Sequence, residues 1–260
     1  MVGEENNLPY LLTGCIFYAF GIKWCCEYAR MWYVRPKPRQ PRESPKLSAT
    51  RRLKKTCSRV LNSHPIEGCL KLIATVFGLC GTLSGGLPNS GIVAPKVVHS
   101  TIYTFFAFSG LVDVLHFYFP RNVSDGLVKL ALGQSFFVEG FLFVWASVSE
   151  SPEVNLILAA TVWLTCVAVA LELVWPEMKL LRGASTLLHG AWLAHMVRVF
   201  RSEPLTLEKI ALTYSWHVAA ASTVTLLAVV ITRSCIPRVP PQPPEVPIYD
   251  YCNELEIRSS

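Results

Sequence analysis

Residues 154–175 read VNLILAATVWLTCVAVALELVW, twenty-two residues interrupted by one acid, Glu172. As an α-helix this stretch is about 33 Å long at 1.5 Å per residue. That is enough to cross the roughly 30 Å hydrocarbon core of a bilayer. Working outward, six more stretches have the same character: Leu11–Tyr28, Ile66–Gly86, Val97–Phe119, Leu127–Val148, Leu180–Phe200 and Leu207–Ile231. In lipid only helices and closed barrels satisfy every backbone polar group. These runs are too long and too continuous for barrel strands, which need about ten alternating residues. The sequence therefore predicts an all-α, polytopic seven-transmembrane-helix bundle.

The first stretch follows two acids, Glu4 and Glu5, and has no small-residue cleavage site after it. It reads as a retained first helix. Lys23 and Glu27 stand one helical turn apart in it and are placed to pair near the inner interface.

The formal charge of +6 is an average that hides its source. Between Arg30 and Arg59 lie eleven Lys or Arg and one acid, Glu43; the remaining chain holds thirteen bases and seventeen acids. One loop carries the surplus. Its position between two apolar stretches calls for the positive-inside rule, not for nucleic acid. The expectation is a cytosolic loop 32–65, an N-terminus outside and a cytosolic C-terminus. The loop Ser149–Glu153, predicted outside, has no Lys or Arg, and Lys179, Arg182, Arg233 and Arg238 flank predicted inner ends; Arg198, Arg201 and Lys209 run against the rule. Asn122-Val-Ser124 is a formal glycosylation sequon in a predicted inner loop and is expected to stay unmodified.

Three parts follow: a short N-terminal segment 1–10, a membrane domain 11–232 with its basic loop, and a proline-rich tail 233–260 expected to be disordered. Residues 35–59 of the loop are candidates for anionic lipid, at about 1 kcal/mol per charge near a surface. The tail's Pro-x-x-Pro spacing is a candidate for a protein partner. Nine cysteines form no Cys-x-x-Cys pattern; Cys25, Cys26 and Cys235 fall near the predicted inner face, where S-acylation occurs. Gly78, Gly81, Gly183 and Ala219–Ala221 are candidates for close helix packing.

Ionisable residues inside spans are costly, at least about 2.5–3.5 kcal/mol at the bilayer centre, and so face the bundle interior. Glu139, His189 and His217 are predicted near the midplane. Asp113, His116, Glu172 and Arg182 fall toward the cytosolic half, with Arg182 placed to pair with Glu172 or Asp113. His99 and His195 belong to the outer half. A carboxylate with imidazoles suits zinc or iron or a proton relay; hydrogen bonding between helices accounts for the same residues equally well. Retinal chemistry needs a lysine within the last helix, and only Lys209, at its start, is present. Receptor motifs are absent, since the third span ends Phe117-Tyr-Phe-Pro-Arg121. The His-x-x-x-His pair of membrane zinc hydrolases is also absent, because His189 and His195 are six apart.

Several short motifs recur in a familiar order: Leu8-Pro9, then His99-Ser-Thr-Ile-Tyr103 running through Phe105-Phe106 to Ser109-Gly110-Leu-Val-Asp113. Phe137-Val-Glu139-Gly140-Phe-Leu-Phe143, Leu171-Glu172, Gly190-Ala-Trp192 and Trp216-His217 follow. In these the chain resembles the transmembrane protein 45 family, which includes epididymal transmembrane proteins. The resemblance implies a seven-helix integral membrane protein, of the epididymal type, and supplies no catalytic mechanism. The chain departs from that pattern at His189 and His195, where the family more usually has glutamine. It also departs in its short second loop and its proline-rich tail.

The expectation is a non-enzymatic multipass protein of the plasma membrane or secretory pathway, with an adaptor or trafficking role and no cofactor. The alternative is an intramembrane metal- or proton-handling transporter or hydrolase built on Glu139, His189 and His217.

Overall fold

The computed structural model describes residues 8–31, 65–83, 95–145, 152–199 and 206–236. The basic stretch 35–59 and the proline-rich residues 237–260, for which lipid and protein partners are expected, lie outside the described residues. Those described form seven α-helices and no strand: α1 (Leu8–Met31), α2 (Ile66–Leu83), α3 (Pro95–Tyr118), α4 (Asp125–Trp145), α5 (Pro152–Leu171), α6 (Met178–Val199) and α7 (Leu207–Ser234). Five of them, α2, α3 (from Lys96), α4, α5 and α7, are long and apolar enough to cross a membrane, as befits a membrane-embedded protein.

Consecutive helices from α2 to α7 pack as antiparallel neighbours, and α1 lies against α6, α7 and α2. Every helix thus has one end on the face where Met31 and Pro65 flank the basic segment, called here the basic-loop face. The other face carries the start of α1.

α1 and α6 are not among these five; α1 carries Lys23, Glu27 and Arg30, and α6 carries Lys179, Arg182 and Arg198. They are also the most intimate pair in the bundle. Gly14 opposes Gly190 and Gly21 opposes Gly183, a spacing of seven on each antiparallel helix. A Cβ added at Gly190 would stand 2.5 Å from the Gly14 carbonyl oxygen, and one at Gly21 would stand 2.7 Å from the Leu187 nitrogen. Small residues at these crossings let the two backbones touch. α6 is thereby covered by α1, α5 and α7, so its polar side chains meet protein.

The expected packing residues fare unequally. Gly78 lies over the ring of Tyr103, and Gly183 over Cys25, but a Cβ at Gly81 would meet nothing. Of the Ala219–Ala221 run only Ala221 is buried. α7 rests on the bundle by a narrow stripe, with Leu212, Trp216, Leu226, Leu227, Val230 and Ile231 exposed.

The fifth predicted span is too long at its end. α5 stops at Leu171, and Glu172–Glu177 form a tight turn in which the Trp175 amide donates to the Leu171 carbonyl at 2.8 Å. Pro176 accounts for this, because the residue before a proline is driven out of the helical region. Glu172 therefore lies just beyond a helix end. The connection between α3 and α4 is equally short, and the Ser124 hydroxyl accepts from the Leu127 amide at 3.3 Å.

Candidate functional site

Ten charged residues, from the buried Lys71, Glu172 and Arg182 to the exposed Asp125, pair in one layer near the basic-loop face. Lys71, in the first turns of α2, is buried; its ammonium donates to Asp113 Oδ2 on α3 at 2.6 Å and stands 3.5 Å from Glu67. A close crossing of Gly68 with Gly110 brings α2 and α3 together there, since a Cβ at Gly68 would lie 2.8 Å from the Gly110 carbonyl oxygen. Glu67 also binds Lys23 of α1 and accepts from the Trp24 indole at 3.2 Å. Lys23 pairs with Glu27 at 2.6 Å, as the one-turn spacing predicts, and Glu27 continues to Lys179 of α6 at 3.0 Å.

Arg182 completes the layer. Its guanidinium lies 3.0 Å from Glu172 and sits over the Trp24 ring at 4.3 Å. Lys129 of α4 bridges Glu172, at 3.9 Å, to Asp125, at 2.8 Å. Five cations, Lys23, Lys71, Lys129, Lys179 and Arg182, thus meet five anions, Glu27, Glu67, Asp113, Asp125 and Glu172. The layer ties α1, α2, α3, α4 and α6 to the turn after α5, and its charges balance.

Of the cytosolic-half candidates, Arg182 meets Glu172, the first of its two expected partners, while Asp113 is taken by Lys71. His116 does not join them. Its Nδ1 donates to the Val123 carbonyl at 2.6 Å and so closes the turn between α3 and α4. Asp113 and His116, three residues apart, share a helix face, but the His116 N–H is taken by the Val123 carbonyl of the neighbouring turn.

The midplane candidates divide. His189 Nε2 lies 3.3 Å from Glu139 Oε1, both side chains buried, without the alignment of a hydrogen bond. Among the described residues, Glu139 Oε2 and His189 Nδ1 have no hydrogen-bond partner. Phe17 stacks on the imidazole at 4.3 Å between centroids. His217 is elsewhere. Its Nδ1 donates to the Thr213 carbonyl of its own helix at 2.9 Å, and its ring meets His195 at 4.7 Å and Trp192 at 5.5 Å. His195 is six residues along α6 from His189, about 9 Å of rise, which explains the separation. The expected three-residue cluster is thus a pair, with the third residue in a different aromatic setting. Among the described residues no three of His, Cys, Asp and Glu gather as a metal site would require.

Toward the end of α1 that begins at Leu8, two further bonds connect α1 to α3. Tyr10 and His99 Nε2 are 3.0 Å apart, and the hydroxyls of Thr13 and Tyr103 are 2.9 Å apart. Tyr10, Thr13, His99, Tyr103 and Glu139 line a cavity of about 20 Å³. A second cavity, of about 50 Å³, lies between α1 and α2 on the other side of Thr13 and Tyr103; Phe17, Phe20, Phe106 and Phe136 make it largely apolar.

Sequence reasoning missed Glu67, Lys71 and Trp24 in the charged layer. Lys71 was legible as a cation five residues into an apolar stretch; its partner across the helix pair was not. A comparison with models of known protein families finds none that matches this chain.

Proposed function

We propose that this chain is a seven-span, N-out integral membrane protein akin to the transmembrane protein 45 family, acting without enzymatic chemistry as an adaptor or trafficking factor. The observation supporting it is the balanced charge layer. Acids and bases that pair with one another across helices hold those helices in register. The same layer lies on the face from which the basic segment departs, consistent with a cytosolic loop under the positive-inside rule.

Proximity labelling in cells tests the adaptor role. The full chain is compared with variants lacking residues 35–59 or 237–260. The labelled set is expected to shrink when either soluble segment is removed, and an identical set in both variants refutes the role. A glycan found at Asn122 would refute the orientation independently.

A second reading is favoured by one specific feature. Glu139 and His189 are buried together outside the charge layer, and Glu139 lines a small cavity shared with Tyr10, Thr13, His99 and Tyr103. That arrangement supports proton handling within the membrane.

A further inference from the structure

We propose that Glu139 and His189 form a proton-binding site entered only from the face where α1 begins, through the cavity bounded by Tyr10, Thr13, His99 and Tyr103. The proposal rests on the proton-handling reading above and adds to it the route and the side.

Four observations carry it. The pair is fully enclosed, yet among the described residues Glu139 Oε2 and His189 Nδ1 lack hydrogen-bond partners, which is costly for groups this polar. Glu139 lines a cavity of about 20 Å³ together with Tyr10, Thr13, His99 and Tyr103 and the apolar Ile102, Phe143 and Leu193. A polar space of at least about 10–15 Å³ is enough for one water molecule, and one water is enough to carry a proton to the carboxyl group. Beyond His189 lies the second cavity, whose largely apolar walls do not favour water. Phe17, Phe106 and Phe136 pack against one another with centroids 5.3 to 5.9 Å apart, and Phe17 covers the imidazole face. Thr13 and Tyr103, bonded to each other, line both cavities, and the second, apolar one runs on toward Lys71.

The proton count is simple. A carboxyl and an imidazole 3.3 Å apart hold one proton between them in the state without net charge. Uptake of a second proton from water at the open face gives a carboxylic acid beside an imidazolium, and release to the same face reverses it. Other groups around the pair are accounted for. On α1 and α3 these are Tyr10, Tyr103 and His99. On α5 they are Cys166, which donates to the Gly133 carbonyl, and Glu153, exposed at the helix start. On α6, Arg182 is engaged with Glu172, and His195 stands beside His217 of α7. On α4 itself Asp125 and Lys129 pair with each other. Among the described residues no other ion pair reaches Glu139 or His189.

The test uses the full chain in liposomes, with its orientation assigned by an N-terminal epitope. The carboxylic-acid carbonyl band is followed by infrared difference spectroscopy after a pH drop on one side at a time. The expected result is a band that appears when the N-terminal face is acidified and not when the other is. It should be lost in Glu139→Gln and restored, at a shifted frequency, in Glu139→Asp. Monodispersity and thermal unfolding of each variant establish folding. A band that responds equally from both faces, or only from the basic-loop face, overturns the one-sided route while leaving a proton site. Absence of any Glu139-dependent band between pH 4 and 9, about two units either side of an ordinary histidine, overturns the proton reading itself.

Discussion

The two polar regions of this bundle use similar residues in opposite ways. In the layer near the basic-loop face, every acid has a base within ion-pair reach, and most of the groups touch two partners. In the middle, Glu139 and His189 have one another, poorly aligned, and a ring stacked on one side. Paired buried charges stabilise a particular arrangement of helices, because removing one partner strands the other. A poorly aligned pair holds its helices together less firmly. The difference is one of charge pairing, since unbonded polar atoms occur in both regions, Asp113 Oδ1 and Arg182 Nε in the layer among them.

The comparison breaks most readily at Lys71. Lys71→Met leaves Asp113 buried beside Glu67 without its cation, and should lower the unfolding free energy by about 3–5 kcal/mol. Thermal unfolding in a fixed detergent measures it. The double variant Lys71→Met with Asp113→Leu should recover most of the loss; an additive result would show that the two charges are not coupled.

Gly190→Ala comes next, with an expected cost of about 1–3 kcal/mol for an overpacked contact. Its Cβ would meet backbone atoms of both Gly14 and Tyr18, which have no rotamer to escape into. The same measurement checks it, and a neutral outcome would show that α1 and α6 separate easily.

Arg182→Lys sharpens the account of the layer. The charge beside Glu172 is kept, but the planar group over Trp24 is lost, at about 0.5–2 kcal/mol. A shift in tryptophan fluorescence should accompany the loss, since the cation lies 4.3 Å from the Trp24 ring.

The smallest effect is expected at Glu139. Glu139→Gln removes a group with an orphaned oxygen, so stability should be unchanged or slightly higher. A large loss at this position would place the pair in the same structural class as the layer and erase the contrast.

Much of the fold was legible because periodicity and length are local properties. Residues 154–175 announce a span without reference to anything else, and the helices begin close to the predicted positions. The end of the fifth span was not read correctly, although Pro176 was visible, because an apolar count continues through Leu173 and Val174 regardless of backbone geometry. The candidate sites were half legible. Lys23 with Glu27 follows from spacing along one helix. Lys71 with Asp113, and His217 with His195 in place of Glu139, depend on how separate helices rotate about their own axes.

By itself the sequence determined an all-helical, membrane-embedded chain with its basic surplus in one loop, since hydrophobic length and charge count act residue by residue. Only the tertiary structure decided which buried charges meet. Helix rotation and close approach at Gly14, Gly21, Gly183 and Gly190 set those meetings, and neither is encoded in any single stretch. The same packing left Glu139 and His189 facing a small cavity while the charges below them closed on one another.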